Sequence, residues 1–544
     1  MALHDELTAL LRGEVDTDDR ALTAASHDAS IFELRPHAVV HPWDAADVGT
    51  LVRYAAASKG SVSLTPRSGG TDMSGAALTE SVVVDMTKHF GHIVRMDADS
   101  VTVQPGLFYR DLEAETLKHD LLLPSFPASR EICTVGGMAA NNSGGEKSLR
   151  YGKTANFVRQ LKMVLRDGKE YAFGPLSAAE LDAKLAADGV EGDVYRAMRD
   201  IVDGNAEQIR GAKPSVTKNS AGYALWDVRD EATGTFDLSK VIVGSQGTLG
   251  VITEITYGLV RPSKQSQLLV IYLKDLNALP DTVSAVMAHG PESFESYDDH
   301  TFKFAIRYWR DITQFMASKS LIGLAKEFWP EVGMILRHGF PKQVMIAEFT
   351  GDDPKEIEGR VDAVMASLQG RGLGLRKTTS ARDANKYWVM RRESFNLLRR
   401  HFKKMKAAPF IDDFCVHPKD LPTFLPKLYA ILDRYDFVVT LVGHVGDGNF
   451  HVIPLMDLSR PDIKEIIDTL SREVYALVFQ YGGSMTGEHN DGLIRSPYLE
   501  DMFGAEVCEL FARTKQAFDP DGIFNPGKKV GADLAFALNH IKKS

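Results

Sequence analysis

Three glycine-rich stretches, separated by whole strand-and-helix units, constrain this 544-residue chain more than any other feature. The first, Thr65-Pro66-Arg67-Ser68-Gly69-Gly70-Thr71-Asp72-Met73-Ser74-Gly75, follows Val62-Ser63-Leu64, which reads as a strand. The second, Gly136-Gly137-Met138-Ala139-Ala140-Asn141-Asn142-Ser143-Gly144-Gly145, mixes four glycines with small residues and two amides. The third, Gly244-Ser245-Gln246-Gly247-Thr248-Leu249-Gly250, comes after 240–243, which reads as a strand. Consecutive glycines let backbone N–H groups turn toward one point, a nest suited to pyrophosphate oxygens, and they let a flat ligand approach the main chain. No stretch is GxGxxG or closes in GK[ST]. One such loop alone is equally well explained as a tight surface turn; three beside strand ends are not.

From His37 to about Lys264, β-branched runs such as Val82-Val83-Val84 and Val101-Thr102-Val103 alternate with amphipathic segments, as in α/β or α+β folds. From about Gln265 the pattern changes to separated strands, 268–273 and 343–349, joined by longer helices, and the tail from Pro497 reads as helical. The expected division is a helical segment 1–36, a glycine-loop domain 37–264, a cap domain 265–485 and a C-terminal segment 486–544. Hydrophobic residues make up 44% and charged residues 25%, and no run reaches the roughly 20 apolar residues of a membrane span. An acidic N-terminus without a basic-then-apolar pattern points to a soluble, cytoplasmic protein. The three cysteines, Cys133, Cys415 and Cys508, form no CxxC pair, which excludes a cluster-binding module in this chain. A formal charge of -10 argues against general nucleic-acid binding.

A second constellation lies in the last quarter. Two β-rich runs flank Gly446-Asp447-Gly448, a hairpin signal, and folding there brings His444 and His451 side by side. Further on, Gly487-Glu488-His489-Asn490-Asp491-Gly492 encloses an acid and a histidine between glycines. Two imidazoles and one carboxylate suit zinc or a similar divalent ion and leave positions open for substrate oxygens. Any one of these histidines by itself reads equally as a structural residue.

Together these loops resemble those of flavoproteins with the vanillyl-alcohol-oxidase type of FAD domain. The resemblance is to the branch holding FAD-linked D-lactate dehydrogenases, D-2-hydroxyglutarate dehydrogenases and the glycolate oxidase flavin subunit, and it runs from about Asp28 to Val530. It implies an α+β fold: a two-lobed FAD-binding domain, a cap with an antiparallel sheet, and a C-terminal helical segment returning to the FAD domain. It also implies that Pro66, Arg67, Ser68, Gly69, Gly70, Thr71, Asp72 and Ser74 cradle the pyrophosphate. Pro124, Ser125, Thr134, Gly137, Asn141, Ser143, Gly144 and Gly145 would line the cofactor, with Val158 nearby. Gly247, Thr248 and Ile252 would hold the adenosine half, and Asn525 would reach the isoalloxazine. Thr71 stands where covalently flavinylated relatives carry histidine, so FAD is expected to be held non-covalently. Asp72, Gln246 and Asn490 depart from the usual pattern of glycine, acid and glycine.

The same resemblance gives His444, His451 and Glu488 to a divalent metal, with zinc expected, and gives His489 the role of base. Arg391 matches the arginine that binds the substrate carboxylate, with Lys406 a second candidate. The expected reaction is oxidation of a D-2-hydroxy acid (D-lactate, glycolate or D-2-hydroxyglutarate) to the 2-oxo acid, with hydride passing to flavin N5. Electrons would leave to a quinone, a cytochrome or a partner protein. Two other readings remain open: an ether-lipid synthase-like transferase, and a flavin subunit without chemistry of its own. Segments 305–341, rich in aromatic and basic residues, and 399–406, a dense basic run, are candidate surfaces for a membrane or an electron acceptor, or else a cap helix and a solvated charge run.

Overall fold

The computed structural model describes residues 3–299, 301–303, 321–401 and 405–543. The glycine-loop domain has two lobes. In the first, β1 (Glu14–Asp16), β2 (Ala38–His41), β3 (Leu64–Arg67) and β4 (Val82–Asp85) form a sheet of order β1-β2-β4-β3, in which β2, β4 and β3 are parallel. Val82, Val83 and Val84 are all buried, as expected of a parallel strand covered on both faces. The helix Ala45–Ala57 makes the crossover from β2 to β3. Its N-terminus is closed by the Asp44 carboxylate, which accepts from the Ala46 and Asp47 N–H groups, and it buries Val48, Leu51, Val52 and Ala55 along one face.

The second lobe is an antiparallel sheet of β5 (Ile93–Met96), β6 (Ser100–Val103), β7 (Val158–Val164), β8 (Glu170–Phe173) and a later strand, in the order 5-6-11-7-8. A short ribbon, β9 (Pro175–Leu176) with β10 (Phe236–Asp237), precedes that later strand, β11 (Val251–Gly258). The cap is built on an eight-stranded sheet that contains β12 (Gln265–Leu273), β13 (Ser293–Asp298), β14 (Gln343–Gly351), β15 (Gly374–Lys377), β16 (Lys406–Ala407), β17 (Phe414–Cys415), β18 (Val438–His444) and β19 (Asn449–Met456). Alternate residues of β12 serve two cores. Leu269, Ile271 and Leu273 pack with the helices Leu279–Met287 and Pro354–Ser367, while Leu268, Val270 and Tyr272 face Tyr387, Trp388 and Met390 of the helix Ala381–His401.

The tail then returns to the first domain. Helix Ala505–Phe518 buries Val507, Leu510 and Phe511 against the second lobe, and Phe524 bridges to Leu64 beside β3. The fold is therefore α+β, with the two lobes, cap and returning segment that the sequence leads one to expect. Three local readings are corrected. The strand before the first glycine loop begins at Leu64, not Val62. Residues 240–243 are not a strand: Ser239–Ile242 is a helical turn, because the Asp237 carboxylate captures the Ser239 N–H and starts a turn before the β-branched residues can extend. The first 36 residues are not purely helical, since β1 pairs with β2.

Helix Leu321–His338 carries the exposed Trp329 and Leu336, but Arg307, Tyr308, Trp309, Arg310, Phe315, Lys319, Lys403 and Lys404 lie outside the described residues. Among the described residues, no helix is long and apolar enough to cross a membrane.

The return of the tail is pinned by charge. Lys529 Nζ lies 2.7 Å from Asp491 Oδ2 and 2.7 Å from the Gly222 carbonyl, with both side chains of the ion pair fully buried. Removing one member of such a pair strands the other. Lys529→Met is therefore expected to lower the unfolding free energy by about 3–5 kcal/mol in denaturant titrations. Adding Asp491→Asn should recover part of that loss, and equal instability of single and double variants would contradict the ion-pair account.

Candidate active site

The three glycine loops meet at one cavity of about 1060 Å³. They are stitched together by hydrogen bonds across the fold: Gly244 and Gln246 donate their backbone N–H groups to Ala139 and Ala140 carbonyls at 2.8 and 2.9 Å. Gln246 Nε2 donates to Ser74 Oγ and Asn141 Oδ1, both at 3.1 Å, and its Oε1 accepts the Gly492 N–H at 2.8 Å. Asp72 turns its carboxylate to local donors, accepting from the Ser74 and Ala76 N–H groups and from Asn141 Nδ2. Two of the departures from the expected pattern, Asp72 and Gln246, are thus the residues that tie the loops to each other. The third, Asn490, has φ +65, a left-handed conformation that glycine adopts freely and asparagine tolerates best of the others. Its Nδ2 donates to the Asn141 and Gly244 carbonyls.

Pro66, Arg67, Ser68, Gly69, Gly70, Thr71, Asp72, Thr134, Gly137, Asn141, Ser143, Gly144, Gly247 and Ile252 line the cavity. Ser74, Pro124, Ser125, Gly145, Val158, Thr248 and Asn525 do not; they stand behind its wall. Asn525 ties strand to loop, with Nδ2 donating to the Ala76 and Gln246 carbonyls and Oδ1 accepting from Thr65 Oγ1. Thr248 Oγ1 donates to the Ser245 carbonyl, Gly145 presses on Phe126, and Val158 belongs to the core of the second lobe. Arg67 holds the neighbouring segment through the Ala25 and His27 carbonyls. His27 to Ile31 and Lys542 also line the cavity, a wall that no sequence signal marked.

The opposite end of the same cavity holds the imidazoles. In the β18–β19 hairpin, His444 pairs with Asn449 and His451 with Val442, so the two histidines are diagonal neighbours on one face with ring centroids 5.4 Å apart. Gly448, at φ +69, makes the tight turn. His489 stacks on His451 at 4.9 Å between centroids.

Each ring is aimed by a buried carboxylate. His444 Nδ1 meets Glu295 Oε1 at 2.7 Å, and Asp412 is shared, Oδ1 facing His451 Nδ1 at 3.2 Å and Oδ2 facing His489 Nδ1 at 2.7 Å. A carboxylate only accepts, so each Nδ1 carries a proton, and Nε2, once unprotonated, is the atom that meets a metal or a substrate. Burial opposes a charge on His489, but Asp413 and Asp412 outweigh it and push its pKa up to about 9. Burial likewise opposes a charge on His444, and Glu295 and Glu488 raise it; burial opposes Glu488, which His444 and Lys218 nevertheless hold well below the usual carboxylate range.

Ligand atoms of Asp413, His451, Glu488 and His489 lie within 4.8 Å of one another, and His444 Nε2 is 3.4 Å from Glu488 Oε2. Within this group Asp413 is committed elsewhere: Oδ2 accepts the Glu488 and His489 N–H groups and Thr486 Oγ1, and Oδ1 accepts from Asn449 Nδ2. His451, Glu488 and His489 remain of that group, and His444 stands beside Glu488, so these four side chains offer ligand atoms here. The charge count also suits a divalent ion. Glu295, Asp412, Asp413, Asp447 and Glu488 face Lys218, Arg391 and Arg495 as fixed cations, and Lys153, pushed down to about 7 by burial, adds only a fraction of a charge. With its imidazoles neutral the described cluster is short of positive charge, a deficit that protons on His444 and His489 or a bound cation would fill.

At the cofactor end Gly69, Gly70, Gly137 and Gly144 leave bare backbone on the cavity, which suits close approach of a cofactor. Gly137 lines the cavity, and a Cβ there would project among Thr134 Oγ1 and Ser68 Oγ, 3.3 and 3.4 Å away. Gly144 joins the two ends. A Cβ on it would lie 2.8 Å from Ser148 Oγ and 2.9 Å from Glu488 Oε1, so a larger residue would push these side chains away from the second loop.

Arg391 is no solvated helix residue: it is buried, lines the cavity and pairs with Glu295. Lys406, on β16, is exposed at the cavity wall. Glu295, Asp412, Asp413, Lys218 and Arg495 were missed in the sequence reading. The adjacent acids in Pro409-Phe410-Ile411-Asp412-Asp413-Phe414, an otherwise apolar run, were the one available signal.

Comparison with known proteins agrees with the two-domain fold. Residues 36–174 match the FAD binding domain model, and residues 262–529 match the FAD linked oxidases C-terminal domain model. The chain is 32% identical to a D-2-hydroxyglutarate dehydrogenase of Pseudomonas putida over 95% of its own length and 50% of that protein, so it spans about half the length of this relative. It is 27% identical to the glycolate oxidase subunit GlcD of Bacillus subtilis, over 93% of this chain and 92% of that one. Among solved structures, the fold resembles 4-ethylphenol oxidase from Gulosibacter chungangensis, with a TM-score of 0.66 at 15% identity, covering 97% of this chain and 96% of the other. With an FAD binding domain and an oxidase C-terminal domain enclosing one cavity, the chain belongs to the family of FAD-linked oxidases.

Proposed function

We propose that this protein is a dehydrogenase that binds FAD non-covalently and oxidises a small D-2-hydroxy acid to the 2-oxo acid. One observation carries the reading: His444, His451, Glu488 and His489, drawn from distant parts of the chain, border the same cavity as the glycine loops. FAD, when bound, supplies the hydride acceptor. A divalent ion held by His444, His451 and Glu488, for which zinc is the best-suited candidate, supplies a Lewis acid that lowers the pKa of the substrate hydroxyl.

The remaining work falls to the chain. His489 takes the hydroxyl proton on Nε2, since Asp412 holds Nδ1–H and fixes the ring's tautomer and orientation. Asp412 stays ionised throughout, so the imidazolium formed at His489 has a counter-charge in contact. Arg391 and Lys406 line the cavity and offer cations to the substrate carboxylate; Glu295 limits the rotation of Arg391 and so orients its planar fork. Gly144 keeps the cofactor floor against Glu488 and brings the two ends within reach. Electrons would leave to a quinone, a cytochrome or a partner protein, consistent with a chain that has no CxxC pair to hold a cluster.

Anaerobic mixing with a panel of D- and L-2-hydroxy acids is expected to bleach the flavin with D-acids only. Absence of bleaching by every D-acid would favour a non-redox use of the flavin, as in an ether-lipid synthase-like transferase. His489→Asn is expected to slow flavin reduction by about 100- to 10,000-fold in stopped-flow traces, the usual contribution of a general base, with flavin content preserved; an unchanged rate would remove His489 from the mechanism. Gly144→Ala should keep flavin bound but slow reduction by about 100-fold, because an ångström-scale shift of a positioning group is that costly. A wild-type rate in that variant would show that the close approach of the second loop to Glu488 is unnecessary.

A further inference from the structure

The segment Thr217-Lys218-Asn219-Ser220-Ala221-Gly222 is absorbed by neither the glycine loops nor the histidine hairpin, yet it runs beside the loop that carries Glu488. Ser220 N–H donates to the Thr486 carbonyl at 2.9 Å, Gly222 N–H donates to Asp491 Oδ2 at 2.8 Å, and Thr217 Oγ1 donates to the Asp447 carbonyl at 2.7 Å. Lys153 closes the same seam, with Nζ donating to the Asn219 and Gly487 carbonyls at 2.6 and 2.8 Å. A side chain on this segment therefore has little freedom to move relative to Glu488.

Lys218 projects from it into the buried cluster. Its Nζ lies 2.6 Å from Glu488 Oε1 and 3.0 Å from Asp447 Oδ2, and the three side chains are 2%, 6% and 5% exposed. Its Nζ is held between two buried carboxylates, so it meets Glu488 as a hydrogen-bond donor and counter-charge. The two oxygens of Glu488 are thus divided. Oε1 faces a fixed ammonium, and Oε2 faces His444 Nε2 at 3.4 Å.

We propose that Lys218 is a positioning residue that confines Glu488 to one-oxygen ligation of a divalent ion. This rests on the reading that such an ion sits at His444, His451 and Glu488. A carboxylate free to turn can bind through both oxygens and fill a coordination position. Held at Oε1 by Lys218, Glu488 offers Oε2 alone, and a site of two imidazoles and one oxygen keeps positions for the hydroxyl and carboxylate of the substrate. The ammonium also places a like charge near the ion, so the site binds the ion less tightly than its acids would otherwise allow. Lys218 thereby favours open coordination over affinity.

The sign of the effect separates this role from simple support. If Lys218 merely props the loop, its loss should disorder Glu488 and weaken metal binding. If it restrains Glu488, its loss should strengthen metal binding and hinder substrate. The test uses full-length, FAD-loaded protein stripped of divalent ions by chelation and titrated with Co²⁺, whose visible spectrum reports coordination number, and with Zn²⁺.

The wild-type chain is expected to take one ion. Lys218→Met should bind Co²⁺ at least about tenfold more tightly, as expected from removing one nearby cation, with weaker visible bands that mark higher coordination, and KM should rise more than kcat falls. Lys218→Arg, which keeps the charge, should restore wild-type affinity and spectrum. If Lys218→Met does not fold, Lys218→Met with Asp447→Asn removes one of the stranded acids and carries the same expectation. Unchanged or weaker Co²⁺ binding in these variants, with a wild-type spectrum, would overturn the role of Lys218 while leaving the ion site intact. Failure of the wild-type chain to bind one ion would overturn both.

Discussion

Buried carboxylates that cannot be left uncompensated set the terms for the rest of this structure. Asp412 and Asp413 are fully buried, as are Glu295 and Glu488 to within a few per cent, and an unpaired charge in such a place costs several kcal/mol. Each is therefore bound to something. Asp412 takes two imidazoles, Glu295 takes His444 and Arg391, Glu488 takes Lys218, and Asp413 takes backbone N–H groups from the loop that follows. What looks like a collection of functional side chains is one electrostatic unit whose members fix each other's orientation. The rings cannot turn without stranding an acid, which is how a chain built on a flexible hairpin and an irregular loop holds three imidazoles in register. Asp413 shows the strain this entails: it sits at φ +76, unusual for a side chain other than glycine, and the hydrogen bonds it collects there hold it.

The glycine loops obey a different constraint. Their backbones approach a ligand too closely for side chains to mediate, so they need support from behind. Gln246, Asp72, Ser74, Asn141 and Asn525 supply it by bridging one loop to the next with side-chain amides and acids. This accounts for the predicted cofactor residues that stand behind the wall. Asn525 bonds loop carbonyls, and Ser74 bonds the Asp72 and Gln246 side chains, so both hold the cradle's shape.

Much of this was legible before the coordinates. Strand runs, the hairpin around Gly446-Asp447-Gly448 and the three glycine stretches are local signals; the structure sets the first stretch at the end of a strand, winds most of the second into the helix Val135–Asn141 and places the third after a helical turn. The boundaries suffered where tertiary context outweighed local pattern: Ser239–Ile242 looks like a strand by composition but is wound by Asp237. The second layer of the site was illegible for a plainer reason. Glu295 lies 149 residues from His444, Asp412 lies 77 from His489, and Lys218 lies 270 from Glu488. No spacing rule reaches that far, and a lone lysine or glutamate in a sequence carries no mark of burial. The Asp412-Asp413 pair inside an apolar run was the exception, since two adjacent acids there demand partners.

The division of labour between the domains has a mechanical consequence. The loop bearing Glu488 and His489 is fastened to the glycine-loop domain: Ser220 and Lys153 hold residues 486 and 487, and Asn490 bonds the Asn141 and Gly244 carbonyls. His444 and His451 belong to the sheet of the cap. The two halves of the proposed ion site thus ride on different domains, joined at the hairpin and at the Asp412 carboxylate. A cation bound by both halves would draw the cap onto the glycine loops by charge as well as by packing. Any separation of cap from cradle would part His489 from Asp412 and the hairpin imidazoles from Glu488 together. Closure and assembly of the chemistry are, on this arrangement, the same event, which explains why the acid cluster sits at the domain junction and not in the core of either domain.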